Sequence, residues 1–361
     1  MNETSGTLHT IRWKELCPWL ILVRATRVAL MVRVLLLATI GVALTQLGWS
    51  LLADRYSLPE VEQLDELNDL SIPKRSEPLS PSNMGPLVAG WAWAIQPLTM
   101  LGGPRTSSYM ASYFCVAGMW TIAVWGLFGG AIARIAALYL TRDELIGPFA
   151  ALKSSWKSWL STAGAPSATF VGLLIIALPL VLTGLFMRME LGALLTSLLM
   201  IVPLLLGLGF AIAAIGLLLG WPLMWSTVAV ERTDAFDAIS RSYAYVYQRP
   251  LHLLFYLCFA TVLGILAQLA LFGLLSFAAD ACYRLIAIGG GEQVIEQIVQ
   301  IKPTSPTWAT EARQFWTSAF LQVAKSFPLS FLFPTAVAAY LLLRREIDSA
   351  EIDQVALETE S

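Results

Sequence analysis

Residues 234–243 read Asp234-Ala-Phe-Asp-Ala-Ile-Ser-Arg-Ser-Tyr243, and 87 positions earlier the chain reads Gly147-Pro-Phe-Ala-Ala-Leu-Lys-Ser-Ser-Trp156. Phe149, Ala151, Leu152, Ser155 and Trp156 match Phe236, Ala238, Ile239, Ser242 and Tyr243 in identity or type. Each stretch lies between two long apolar runs, and each gathers basic charge. Phe236, Ile239, Tyr243 and Val246 recur at helical spacing, as do Phe149, Leu152, Trp156 and Trp159, so each stretch predicts one amphipathic helix. Asp234 is placed to cap the second helix, with Asp237 in its first turn, where the helix dipole favours an anion. In the first, Gly147 takes the cap and Pro148 the first helical position, where a missing N–H costs nothing. Both are read as cytoplasmic elbows, lying flat beneath a membrane bundle with the apolar face toward it and returning the chain to the bilayer. Phe149, Lys153, Trp156, Phe236, Arg241 and Tyr243 then form a candidate docking surface for a cytoplasmic protein or anionic lipid. The plainer reading is a re-entry turn that binds nothing.

Composition supports the membrane setting. Apolar residues make up 57% of the 361 positions and charged residues 13%, about half the share usual in globular proteins. Several uncharged runs reach the roughly 20 residues that a helix needs to cross the hydrocarbon. Four scattered cysteines make no metal or disulfide framework, although Cys115 and Cys282 would share the outer face and could pair.

Working outward, Ile11–Arg33 mixes Trp13 and Trp19 with five cations and predicts a helix in the headgroup layer. Val34–Ala53 is the first span, too long for a signal-peptide core and therefore an anchor. An extracytoplasmic segment, 54–109, holds the acidic run Leu58–Leu70 and an apolar stretch, Pro86–Leu101, expected to rest on the membrane surface. The second and third spans are Tyr113–Ala133 and Ala168–Met187. Small residues at Gly126 and Gly130, and at Gly129, Ala133 and Ala137, offer close-packing ridges. Leu191–Val230 carries no charge over 40 residues, about 60 Å of helix. Two spans there would put the matching elbows on opposite sides. One span, Leu204–Thr227, after an outer piece broken at Pro203 keeps them together. Gly216 and Gly220 give it a close-packing face, and Pro222 a kink. Leu251–Phe277 and Ser318–Leu343 complete six spans around an outer loop, 280–316, hinged at Gly289-Gly-Gly291; the last span is bent at Pro328 and Pro334. The acidic tail, 344–361, is expected to be disordered. The fold class is all-α: a polytopic bundle of six transmembrane helices, built from two parallel-repeat hairpins with cytoplasmic elbows.

Fourteen Lys and Arg fall on the elbow side and eight on the other, where loops are longer. The positive-inside rule then places both termini in the cytoplasm, and most tryptophans near span boundaries fit the same layout. An inner-membrane location follows as the expectation.

The pattern of a span ending Val-Glu-Arg-Thr-Asp234, then Phe236-Asp-Ala-Ile-Ser-Arg-Ser-Tyr243 and an aromatic-rich re-entry, resembles a broad group of uncharacterised bacterial membrane proteins. Over roughly residues 113–280 it is similar to the membrane domain fused to some glycerophosphodiester phosphodiesterases. The resemblance implies a six-helix integral domain without an assigned activity of its own. The fused catalytic domain has no counterpart here, so phosphodiesterase activity is not carried over.

No paired carboxylates, Cys/His cluster, phosphate loop or nucleophile motif appears, and the two histidines, His9 and His252, stand far apart. Neither enzyme activity, a cofactor nor a metal is expected. The spans hold no Asp or Glu deep in the membrane, which disfavours a carboxylate proton relay. One intramembrane charge remains, Lys325, with Asp280 as the candidate partner and Gln268 deeper in the same cleft; the plain alternative has Lys325 reaching the outer headgroups. The leading reading is a non-enzymatic scaffold or accessory subunit. Its rival is a transporter or lipid-handling protein with an outward cleft near Lys325. Expected partners are membrane lipids and another membrane or cytoplasmic protein, not nucleic acid.

Overall fold

The structure, a computed structural model, describes residues 17–56, 84–101, 108–299 and 308–356, and every regular element among them is helical. In chain order, after a short 3-10 turn, they are α1 (Ile21–Ala29), α2 (Val32–Tyr56), α3 (Pro86–Leu101), α4 (Ser108–Arg142), α5 (Pro148–Lys157) and α6 (Trp159–Phe186). Then come α7 (Glu190–Leu198), α8 (Ile201–Glu231), α9 (Ala235–Gln248), α10 (Pro250–Val299), α11 (Trp308–Lys325) and α12 (Phe327–Asp348). Six paths are long and apolar enough to cross a membrane: α2, α4, α6, α8, α10 and the joined α11–α12. The chain is a multi-pass membrane protein.

α12 is the axis of the bundle. Every residue from Phe327 to Leu343 is buried, as a helix apolar on all sides requires when other helices surround it. Its Phe333 ring stacks between Trp125 of α4 and Trp225 of α8, each 5.5 Å away and within 18° of parallel. Trp93 meets Trp125 edge-on, and Trp221 meets Phe333 in the same way. This contact needs a bare backbone beside it: a Cβ on Gly129 would lie 2.7 Å from the Phe333 ring. Several tryptophans placed by sequence at span boundaries are therefore core residues, because a large flat ring fills the gap that small neighbours leave.

Pro86–Leu101 is not a surface segment. As α3 it is driven into the bundle, with Leu87, Gly90, Trp93, Ile95 and Pro97 among its buried residues. Its first residues pack near Gly264 of α10, and its last turn reaches Gly118 of α4. Gly90 lies on the backbone of Pro328, where a Cβ would stand 2.6 Å from the carbonyl oxygen, and the Trp91 indole N–H donates to Leu218 O at 2.9 Å. α3 is thus a re-entrant half-helix, a geometry that membranes allow only where the backbone is enclosed by protein.

Four other expectations are corrected. α1 is packed on α12 rather than adrift in the headgroups, with Leu22, Ala25, Val28 and Ala29 fully enclosed. The break before the fourth span falls at Leu199-Met200; Pro203 sits in the first turn of α8, where backbone N–H groups have no helical partner to lose. α10 runs on through Gly289-Gly290-Gly291 to Val299, so the outer side holds a long helix facing α11. Tail residues 349–356 are docked: Ala356 N–H donates to Val230 O at 2.9 Å, Arg344 donates to Gln354 O, and Val355 is buried. Cys115 and Cys282 are exposed and unbonded. The acidic run Leu58–Leu70 lies outside the described residues.

Candidate functional site

Among the described residues, the ion pairs gather at the end of the bundle that carries both elbows. α5 begins at Gly147 with Pro148 in its first turn, and α9 begins at Asp234, whose carboxylate accepts from Asp237 N–H at 2.8 Å. Both caps follow the sequence reading. The buried faces follow it only in part: Val246 is buried and Leu152, Ile239 and Tyr243 pack partly on the core. Ala151, Ser154 and Ser155 face inward from α5, and Ala238, Ser242, Tyr245 and Val246 from α9. Phe149 and Phe236 are instead 84% and 75% exposed, with Trp156 and Leu160 also bare. The elbows therefore do not lie flat under the bundle on an aromatic face. They fold back along the preceding spans through small residues: Ser155 onto Gly126 and Gly130 of α4, Ser242 and Tyr243 onto Gly220 and Gly216 of α8. Small residues on both sides let the helices approach closely and gain dispersion contacts. The repeat survives in this corrected form, since Ala151 and Ala238 are both fully enclosed, Ser155 and Ser242 both buried, and Phe149 and Phe236 both exposed.

The elbows share one end of the bundle. Arg232, in left-handed backbone geometry at φ 60°, ends α8 and reaches across to the first elbow. Its guanidinium donates to Ser154 O at 3.0 Å and to the Ser154 and Ser158 hydroxyls. α1 and tail residues up to Ala356 join the same end. Arg24 of α1 bonds Tyr139 O, Leu140 O and the Asp143 carboxylate; Arg134, 4% exposed, donates to Ala229 O and to Ala356 O of the tail, each at 2.8 Å.

At the centre stands Glu231. Its carboxylate accepts from the Tyr340 hydroxyl at 2.6 Å and pairs with Arg241 at 2.7 Å and Arg344 at 3.0 Å. One acid thus ties α8, α9 and α12. Arg241 also grips Asp237 one turn earlier, and Tyr245 donates to Asp348. Burial lowers the Arg241 pKa, but the hydrogen bond to Asp237 and the charges of Glu231 and Asp237 outweigh it, so the guanidinium stays charged. These groups hold one another across α8, α9 and α12.

Arg232→Gly isolates the clasp, since glycine accepts the left-handed backbone. Losing hydrogen bonds from a charged donor is expected to cost about 2 kcal/mol, read as a lower unfolding midpoint and faster proteolysis within 142–160.

Of the six elbow residues singled out from sequence, Lys153, Phe149, Trp156 and Phe236 point away from the bundle. Arg241 belongs to the Glu231 cluster, and Tyr243 is half-buried, its hydroxyl donating to Ala213 O. The outer trio is not assembled. Among the described residues no ion pair joins Lys325 and Asp280, and Asp280 is exposed. Gly264 touches Phe331, which fixes a common level. Asp280 lies 16 residues outward from it (280 − 264) and Lys325 six (331 − 325), a difference of about 15 Å along the axis. Gln268 is half-buried on α10. Glu231, Arg232 and Arg134 were not singled out as site residues, although Glu231 and Arg232 stood inside the Val-Glu-Arg-Thr-Asp234 motif. Among the described residues no group of His, Cys, Asp and Glu could hold a metal.

Compared with family models, curated proteins and solved structures, the chain matches none.

Proposed function

We propose that the protein is a non-enzymatic scaffold or accessory subunit of the bacterial inner membrane, with both termini and both elbows in the cytoplasm. The observation that carries this reading is α12, whose unbroken buried run fills the axis along which a substrate path between the two repeats would pass. The basic excess at the elbow end gives the orientation through the positive-inside rule. The proposed likeness to the membrane domain fused to some glycerophosphodiester phosphodiesterases implies a six-helix integral domain without an assigned activity, which is compatible with this reading. The docking surface is the bare outer side of the elbows, Phe149, Lys153, Trp156 and Phe236, where aromatic groups beside cations suit a membrane-apposed protein partner.

The test places a photo-crosslinking amino acid at Phe149 and, separately, at Phe236 in the full chain in cells. The scaffold reading expects one discrete protein adduct common to both positions. Adducts to lipid alone from both positions would overturn it.

A further inference from the structure

α3 leans on α4, α10 and α12 and meets α8 through the Trp91–Leu218 hydrogen bond. Beyond that bond the helices part. The gap is an apolar cavity of about 200 Å³ whose walls include Ala94 and Leu98 of α3, Ile122 and Trp125 of α4, Phe170 of α6 and Ala214 of α8. Its hydroxyls are paired, since Thr121 donates to Ala117 O and accepts from the Trp49 indole and Thr99 donates to Gln96 O, while the indole N–H groups of Trp125, Trp221 and Trp225 are buried without an acceptor.

Three observations identify what fits. The first is depth. The α8 wall, Ala214 to Trp221, stands 10 to 17 residues from Glu231 on a 31-residue helix, about 15 to 26 Å from the elbow end and therefore within a hydrocarbon layer ~30 Å thick. The second is surroundings. The helices bounding the opening, α6 and α8, carry bare Leu174, Leu178, Leu208 and Ile215 on their other faces, which in a membrane are lipid surface. The third is chemistry. An apolar cavity left empty forfeits dispersion contacts along its walls, and an enclosed apolar cavity of about 150 Å³ takes up an apolar guest. The lining holds no charged side chain and its indole N–H groups are themselves buried, whereas a hydrocarbon chain needs no polar partner.

We propose that this cavity is a binding site for one acyl chain of a membrane phospholipid from the leaflet opposite the elbows. The chain enters beside Leu98, which packs near Gly118 toward the outer end of α4, and its tip reaches Trp125 and Trp225. The headgroup stays outside, because the lining holds no charged side chain to meet it.

The experiment uses the full chain in nanodiscs of phosphatidylethanolamine and phosphatidylglycerol, doped with a phospholipid carrying a diazirine at the end of one acyl chain. After irradiation, adducts are mapped by peptide mass spectrometry. The expected result is labelling at Ile122, Phe170 and Leu217 above that of lipid-facing Leu178. Ala214→Phe, which fills the cavity, is expected to reduce cavity labelling to the Leu178 level at an unchanged unfolding midpoint; Ala94→Leu repeats the block from the opposite wall. Labelling confined to the outward faces of α6, α8 and α10 would overturn the proposal, as would equal cavity labelling in a folded blocked variant. Should neither variant fold, the wild-type map decides by the same criterion.

Discussion

Replacing Glu231 with alanine is expected to destabilise the protein by about 3 kcal/mol, because removing one member of a buried ion pair leaves its partners uncompensated. The Glu231 side chain is 11% exposed and that of Arg344 14%, so their pairing is shielded from water and salt. Arg241, at 36%, contributes less because solvent screens it. The Tyr340 hydroxyl loses its acceptor in the same step. The loss should appear as a lower unfolding midpoint in detergent and as release of the docked tail to protease. Glu231→Gln keeps an acceptor for Tyr340 and should fall between the two. Adding Arg344→Met to Glu231→Ala should recover part of the loss, because the stranded cation is then gone. A double variant no better than the single one would show that the pair does not act as a unit.

Gly90→Leu is expected to have an effect of similar size, about 3 kcal/mol, at the upper end of overpacking costs. The reason is backbone rather than side chain. Pro328 O stands 2.6 Å from where the first carbon would go, and neither α3 nor α12 has a flexible group there to yield. α3 should leave its slot, exposing Trp93 and Trp125 to lipid and breaking the Trp91–Leu218 bond. Gly147→Ala is the matched control. Nothing lies within 4 Å of the added methyl group, and the backbone at φ −70° suits any residue, so stability should change by less than about 1 kcal/mol. Equal midpoints for the two variants would remove the re-entrant placement of α3.

These outcomes mark what could be read from the residues. The six spans and both elbow caps were legible because their signals are local: an uncharged run of sufficient length, an Asp one turn ahead of its N–H, a Gly-Pro at a helix start. The face each elbow buries was legible only in part. Of the stripe Phe236, Ile239, Tyr243 and Val246, Val246 is buried and Ile239 and Tyr243 pack partly on the core, but Phe236 stays out, and Ser242 and Val246 fit against Gly220. α3 was misread for a related reason: its Gly90 and Pro97 look like breaks until Pro328, more than 200 positions later, supplies the surface they fit. Glu231 was quoted only as part of a motif, since Tyr340 and Arg344 lie over 100 positions away. Lys325 drew attention as the lone charge in a span, yet the helix beginning at Phe327 sets a depth at which Asp280 is out of reach.

The account rests on the two elbows occupying one compartment, as the Arg232 clasp requires. The direct measurement replaces Cys17, Cys115, Cys258 and Cys282 with serine, introduces Lys153→Cys or Ser240→Cys, and treats intact cells with a membrane-impermeant maleimide. Both positions are exposed. The account predicts that both remain unlabelled until the membrane is opened and that both then react. Labelling of one on intact cells while the other stays silent would contradict it, since the duplicated hairpins could not then point the same way.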